Sequence, residues 1–259
     1  MSRANVLSLV GPPGSGKSTQ AARLVVALGR SRGTPVLCAS VPALLRGDPA
    51  LHERLTRQEA AQVAAVRRAA HESADRGALM PTELDEVLVE LVARAAADGP
   101  VVLDSVPRGR QQARILLAGA VPLAELIVLH LQLPGDVLAA SLERQITRAA
   151  SRGEWPPTQR QLSRMAGKAG VYTDETLPGL AELARAGVDM ARFDASGPAD
   201  LVAEEIHAHL VHRGALPAFA ASAAVTGAVI PAATTTSTPA LTAALAGVDT
   251  GQPEAGPCS

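Results

Sequence analysis

The chain has 259 residues, with 24 Lys plus Arg against 25 Asp plus Glu, a formal net charge of −1, 47% hydrophobic residues and only 2% aromatics. That balance excludes a basic field for nucleic acid and leaves alanine, valine and leucine to fill the core. Two cysteines, Cys38 and Cys258, exclude a disulfide framework or a cysteine metal cluster and suit a reducing cytoplasm. Lysine is nearly absent, Lys17 and Lys168 standing against 22 arginines, the mark of a GC-rich genome rather than of tuned ion pairs.

The N-terminus runs directly into an apolar run, Val6-Leu7-Ser8-Leu9-Val10, which leaves no room for a signal peptide and suits a strand at the centre of a sheet. Gly11-Pro12-Pro13-Gly14-Ser15-Gly16-Lys17-Ser18-Thr19 follows, and residues 17–28 read as a helix. Strand, glycine loop and helix form the setting in which G-x-x-x-x-G-K-[ST] is a phosphate-binding loop. Glycines let successive N–H groups turn inward on phosphate oxygens, and the helix N-terminus adds partial positive charge. Lys17 would reach the outer phosphates and the Ser18 hydroxyl would sit on Mg²⁺. The alternative, an ordinary glycine turn, does not explain why every fixed position of the pattern is filled.

A second strand spans 35–39, and 40–46 turns into a helix. Residues 46–98 are helical in pattern, broken at Gly77 and restarted at Pro81-Thr82-Glu83-Leu84. A third strand, Val101-Val102-Leu103-Asp104, ends in an acid. Asp104 reads either as the metal-side partner of the phosphate loop or as a helix N-cap. A short helix at 111–117 leads to a fourth strand at 125–133, whose His130 reads as a structural core residue. Helices at 137–149, 162–169 and 174–186 surround a polar stretch at 151–161. A fifth strand at 190–193 and a helix at 198–212 follow. From Gly214 the next charged residue is Asp249, and the composition turns to alanine, threonine and proline. This segment, 214–259, reads as a disordered tail. Its longest proline-free apolar piece, 218–230, is too short to span a bilayer.

Five buried strands alternating with helices define an α/β fold, a five-stranded parallel doubly wound sheet with right-handed crossovers. Ligands in such sheets bind beyond the carboxyl ends of the strands, where the loop, 40–46 and 104–108 all fall. The body is expected to cover residues 1–213.

Asp104-Ser105-Val106-Pro107-Arg108, with Gln112-Ala113 at fixed spacing, resembles the Asp-Gly-Phe-Pro-Arg signature of the adenylate kinase family. Lys17-Ser18-Thr19-Gln20-Ala21 is similar to that family's loop, and Leu44-Leu45-Arg46 to the start of its monophosphate-binding insert. Gly77-Ala78-Leu79-Met80-Pro81 is similar to the segment that frames the acceptor base, and Arg144-Gln145-Ile146-Thr147-Arg148 to the paired arginines before the lid. The resemblance implies a nucleoside monophosphate kinase fold with a helical insert at about 40–98 and a short lid at about 149–161. It implies transfer of a phosphoryl group from ATP with Mg²⁺, AMP being the favoured acceptor, by a monomer without nucleic-acid or membrane partners. By the same resemblance Lys17, Arg108, Arg144 and Arg148 act on the transferring group. Residues 11–19, Arg46, Leu79, Met80, Gln112, Arg152 and Arg164 bind nucleotide, and Ser18 and Asp104 hold the metal. Arginine suits the task because its planar fork binds phosphate oxygens in pairs and keeps its charge. The chain departs from the family at Val41-Pro42-Ala43, where Thr-Gly-Asp is usual. It departs again at Arg152-Gly153-Glu154-Trp155-Pro156, where the lid has an arginine and two aspartates, and about one helical turn is inserted between Arg164 and Tyr172. These departures leave two alternatives: a kinase of another small acceptor, or an ATP-binding regulatory protein with weak turnover.

Overall fold

The computed structural model describes residues 5–120 and 122–217. Strands β1 (Val6–Val10), β2 (Leu37–Ala39), β3 (Val101–Asp104), β4 (Leu126–Gln132) and β5 (Asp189–Asp194) form one parallel sheet in the order β2-β3-β1-β4-β5. The strand with the phosphate loop is therefore central, and the switch in strand order falls beside it. Its five residues are all buried, as its apolar sequence requires.

Successive side chains of a strand leave opposite faces, so one sequence serves two cores. Val6, Val10, Val101, Leu103, Leu126 and Val128 join one cluster. They pack on helices α2 (Val41–Arg46), α5 (Thr82–Asp98), α6 (Arg110–Ile115) and α9 (Leu177–Arg185), with the short α3 (Pro49–His52) beside them. Leu7, Leu9, Val102, Ile127 and Leu129 join the other, against α1 (Lys17–Arg32) and α10 (Ala199–His212). α4 (Arg57–Arg76) joins the first cluster through Val63 and Ala70, and α7 (Val137–Ser151) and α8 (Gln159–Val171) are the remaining helices. A capping box starts α4, where Thr56 and Glu59 satisfy each other's backbone N–H, and a second starts α8 with Thr158 and Gln161. Leu142, Ile146 and Ala149 of α7 pack on Leu162 and Met165 of α8, forming a small separate core.

The helical segment at 162–186 differs from expectation. It is not two helices with a gap. α8 runs through a π-helical turn, Tyr172–Thr176, straight into α9. One extra residue in the turn keeps the path continuous while it shifts the face that looks inward.

The body also extends past the expected boundary at 213. Ala215 and Leu216 are each 3% exposed, and their N–H groups donate to the Leu210 carbonyl at 2.9 and 3.1 Å. The chain folds back over the end of α10 and covers the same core that α1 lines. The rest of the expected tail, and Cys258, lie outside the described residues. Among the described residues no helix is long and apolar enough to cross a membrane.

Candidate active site

The carboxyl ends of β1 and β3 open into a cavity of about 570 Å³. The phosphate loop forms its floor. Gly14 takes φ 83°, and a Cβ there would lie 2.8 Å from Cβ of Arg144, so both conformation and space require glycine. The loop is braced from α7, whose Ser141 Oγ donates to the Pro13 carbonyl at 2.8 Å. Lys17 Nζ curls back on the loop and donates to the Pro12 carbonyl at 2.7 Å. Burial pulls the Lys17 ammonium down to about 8, with Arg108 and Lys168 adding to the pull and Asp104 opposing it. Ser15 Oγ is buried in the loop with no hydrogen-bond partner.

β3 ends beside the loop in register, with Asp104 opposite Leu9. Ser105 takes φ 66° and its hydroxyl donates to the Asp104 carboxylate at 3.0 Å. Three residues on, the Arg108 side chain enters the cavity. Burial lowers its pKa, with Asp85 and Asp104 opposing. Arg46, from the end of α2, lines the same cavity with Pro42 and Leu45. α8 supplies Arg164 and, one turn later, Lys168. The stretch from α4 into α5 closes the side through Gly77, Ala78 and Met80. Here α4 seats on α8 through main chain. A Cβ at Gly77, which has φ 74°, would fall 2.3 Å from the Arg164 carbonyl oxygen and 3.0 Å from the Lys168 nitrogen.

Lys17, Ser18, Asp104, Arg108, Arg46, Met80 and Arg164 therefore meet at one cavity. Gln112 does not line it. It is 3% exposed, its Nε2 donates to Asp85 Oδ1, and its Oε1 accepts from the Arg108 N–H. Leu79 packs instead against Gly109. Arg144, Arg148 and Arg152 also stand off the cavity. The Arg144 guanidinium donates to the carbonyls of Gly14 at 3.3 Å and Ser196 at 2.7 Å, which ties the loop to the segment after β5. Arg148 is exposed on α7, and exposed Arg152 pairs with Glu154 at 3.0 Å.

Two residues carry no motif signal in the sequence: Asp85, which holds Gln112, and Lys168, on the cavity lining. Asp85, 8% exposed, is pushed up to about 7 by burial, with the Gln112 hydrogen bond and Arg108 opposing and Glu86 and Glu83 reinforcing. Tyr172 lines the cavity, and its hydroxyl meets His130 Nε2 at 2.7 Å. Burial, helped by Arg192 and Lys17, holds His130 down at about 4, so it is neutral at physiological pH and structural, as expected.

The donor set fits a nucleotide with a hard divalent ion. Five cationic side chains face the cavity against one carboxylate, Asp104. Among the described residues no group of three or more His, Cys, Asp or Glu could hold a metal by itself. Ser18 and Asp104 would thus share a Mg²⁺ with phosphate oxygens and water, the ligation this ion prefers.

A parallel doubly wound sheet, a phosphate loop on its central strand and a cationic cavity above it define a P-loop nucleotide phosphotransferase. No family model matches the chain. It is 30% identical to the adenylate kinase of Kocuria rhizophila over 207 residues, covering 78% of this chain and 96% of that enzyme. It is 30% identical to the adenylate kinase of Xanthomonas campestris pv. campestris, covering 77% and 96%, and 27% identical to that of Micrococcus luteus, covering 76% and 86%. The chain belongs to the adenylate kinase family, the nucleoside monophosphate kinases that move a phosphoryl group between nucleotides.

Proposed function

We propose that this chain transfers the terminal phosphoryl group of ATP to AMP, giving two molecules of ADP, with Mg²⁺ accompanying the donor phosphates. The observation that carries the reading is the charge of the cavity: Lys17, Arg46, Arg108, Arg164 and Lys168 face it with Asp104 as their one acidic companion. Such a cluster is costly until polyanions fill it.

The chemistry asks for little acid–base work. An oxygen of the acceptor phosphate, already ionised, attacks the terminal phosphorus. A new P–O bond forms, the bond to the bridging oxygen breaks, and ADP leaves with the electron pair. Catalysis is then positioning and charge neutralisation. The loop N–H groups and Lys17 hold the donor from below. Arg108 and Arg46 hold the acceptor phosphate. Asp104 and Ser18 would hold Mg²⁺, which when bound neutralises charge on the donor phosphates.

The acceptor base is assigned to adenine because the relatives are adenylate kinases. We assign residues 40–98 as the acceptor-binding insert and 149–161 as the lid.

The test is coupled ADP formation with AMP, CMP, UMP and GMP, with Mg²⁺ and with a chelator. AMP should lead in kcat/KM by about tenfold or more, as a site with matched hydrogen bonds discriminates at least that well. Equal rates with all four would overturn the adenine assignment. A rate unaffected by chelation would overturn the metal, and no rate with any acceptor would overturn the reading altogether.

A further inference from the structure

Arg108 enters the cavity from a main chain that is held on both sides. Its N–H donates to Gln112 Oε1, and its carbonyl accepts from Thr176 Oγ1 at 2.6 Å. Gln112 is held in turn, because its Nε2 donates to Asp85 Oδ1. An amide so placed has one orientation. Turning it over would set two donors against each other at Arg108 and two acceptors against each other at Asp85. Asp85 therefore fixes the oxygen that the Arg108 N–H needs. The links come from separate parts of the fold: Asp85 from α5, Gln112 from α6 and Thr176 from the π-helical turn between α8 and α9. Gln112 and Asp85 are 3% and 8% exposed, and neither lines the cavity. A carboxylate buried on α5 is costly unless it secures something. Among the described residues its hydrogen bond goes to Gln112.

We propose that Asp85 is a positioning residue for the acceptor phosphate, acting through Gln112 to fix the main chain from which Arg108 reaches the cavity. This rests on the reading of the site as a kinase for nucleoside monophosphates with Arg108 on the acceptor. In this arrangement Gln112 is a strut, whereas family resemblance places it on the nucleotide. The end of a long side chain is placed no better than the backbone that carries it, and small misplacements at a transfer site are costly. The Asp85 carboxylate also opposes the loss of charge that burial imposes on Arg108, so one residue serves both its position and its charge. A strut and a base reader differ in consequence. A strut acts on the phosphate, which every nucleoside monophosphate carries. A reader acts on the base, which differs among them.

The experiment measures steady-state transfer from ATP by the full chain as wild type, Asp85→Leu, Asp85→Asn, Gln112→Leu and the double variant of Asp85→Leu with Gln112→Leu. AMP is the acceptor, and CMP, UMP and GMP serve as alternative acceptors or as inhibitors of AMP use. Melting curves establish that each variant is folded. Asp85→Leu leaves the Gln112 N–H unpaired and should raise the KM for AMP on the order of tenfold, with kcat and the KM for ATP changed less than about threefold. The other monophosphates should weaken by the same factor. Asp85→Asn keeps an oxygen for Gln112 and should stay within about threefold of wild type. The double variant should match the worse single variant, because both substitutions break one chain of contacts. Gln112→Leu carries the same expectation and decides the matter should Asp85→Leu not fold. A wild-type KM for AMP in the Leu variants would overturn the proposal. So would a loss confined to AMP, as a base reader gives, or effects that multiply in the double variant. If wild type phosphorylated no nucleoside monophosphate, the kinase reading would fall and the strut with it. If wild type did so and the Leu variants matched it, this inference alone would fail.

Discussion

Replacing Gly77 with alanine tests the seat of α4 on α8. The residue caps α4 with φ 74°, and its missing side chain lets the helix end approach main chain on α8. Two costs follow. A left-handed conformation costs an L-residue about 1 kcal/mol. The new methyl would then lie 2.3 Å from the Arg164 carbonyl oxygen and 3.0 Å from the Lys168 nitrogen. Neither neighbour is a side chain that can swing aside, so the helices must separate by roughly 1 Å, an overpacking cost of about 1–3 kcal/mol. The total is about 3 kcal/mol, or roughly 10 °C in melting temperature for a body of this size. Gly33 supplies the control. It caps α1 at φ 65°, and a Cβ there meets nothing within 4 Å, so Gly33→Ala carries the conformational cost alone. Urea unfolding of both variants separates the terms. If Gly77→Ala and Gly33→Ala lost the same stability within about 0.5 kcal/mol, the tight seat would be refuted.

Lys17→Ala and Arg108→Ala should differ in kind: the first should cut kcat by about 100-fold or more, the second should chiefly raise the acceptor KM. An acceptor KM unchanged in Arg108→Ala would remove that residue from the acceptor wall. Asp85 makes stability depend on pH. Its folded pKa of about 7 lies above the ordinary 3.8, so between those values the fold holds a proton that the unfolded chain has released. Stability should fall on the order of 2 kcal/mol as pH rises from 5 to 8, and Asp85→Asn, which keeps an oxygen for Gln112, should flatten that slope. Denaturant midpoints at the two pH values decide it, parallel profiles counting against the assignment. A chain ended at residue 213 should be less stable than one ended at 217 by about 2 kcal/mol, the value of burying Leu216. Equal melting temperatures would show that this return contributes nothing.

The parts of the site that local chemistry dictates were legible in the sequence. A phosphate loop is a contiguous pattern, and β1 and β3 announce themselves as apolar runs, so contiguous residues place Lys17 and Ser18 and leave Asp104 between a metal-side acid and a helix N-cap. Arg108 and Arg46 came from the resemblance to the adenylate kinase family. Tertiary facts were hidden. Gln112 carries its motif position faithfully, yet what holds it is Asp85, a residue distant in sequence that looks like one more helical acid until burial is known. Arg144 sits where a clamp is expected, but its donors meet carbonyls of Gly14 and Ser196. Nothing in local sequence tells an arginine that braces a loop from one that faces its ligand. The π turn at Tyr172–Thr176 gave no signal because one extra residue in a helix leaves composition unchanged. Leu216 was missed because a single buried leucine after a glycine has no period to reveal it.

The placement of the two lysines bears on how this protein meets reactive small molecules. Each primary amine on a side chain of this chain opens onto the nucleotide cavity. With its pKa near 8, Lys17 keeps a substantial neutral, nucleophilic fraction at mildly alkaline pH, where an ordinary lysine is almost wholly protonated. Acylating agents and aldehydes that scatter over the surface of most proteins are thus directed here, among side chains, to one place. The scarcity of lysine that began as a trait of base composition makes side-chain amine chemistry on this chain a report on its cavity.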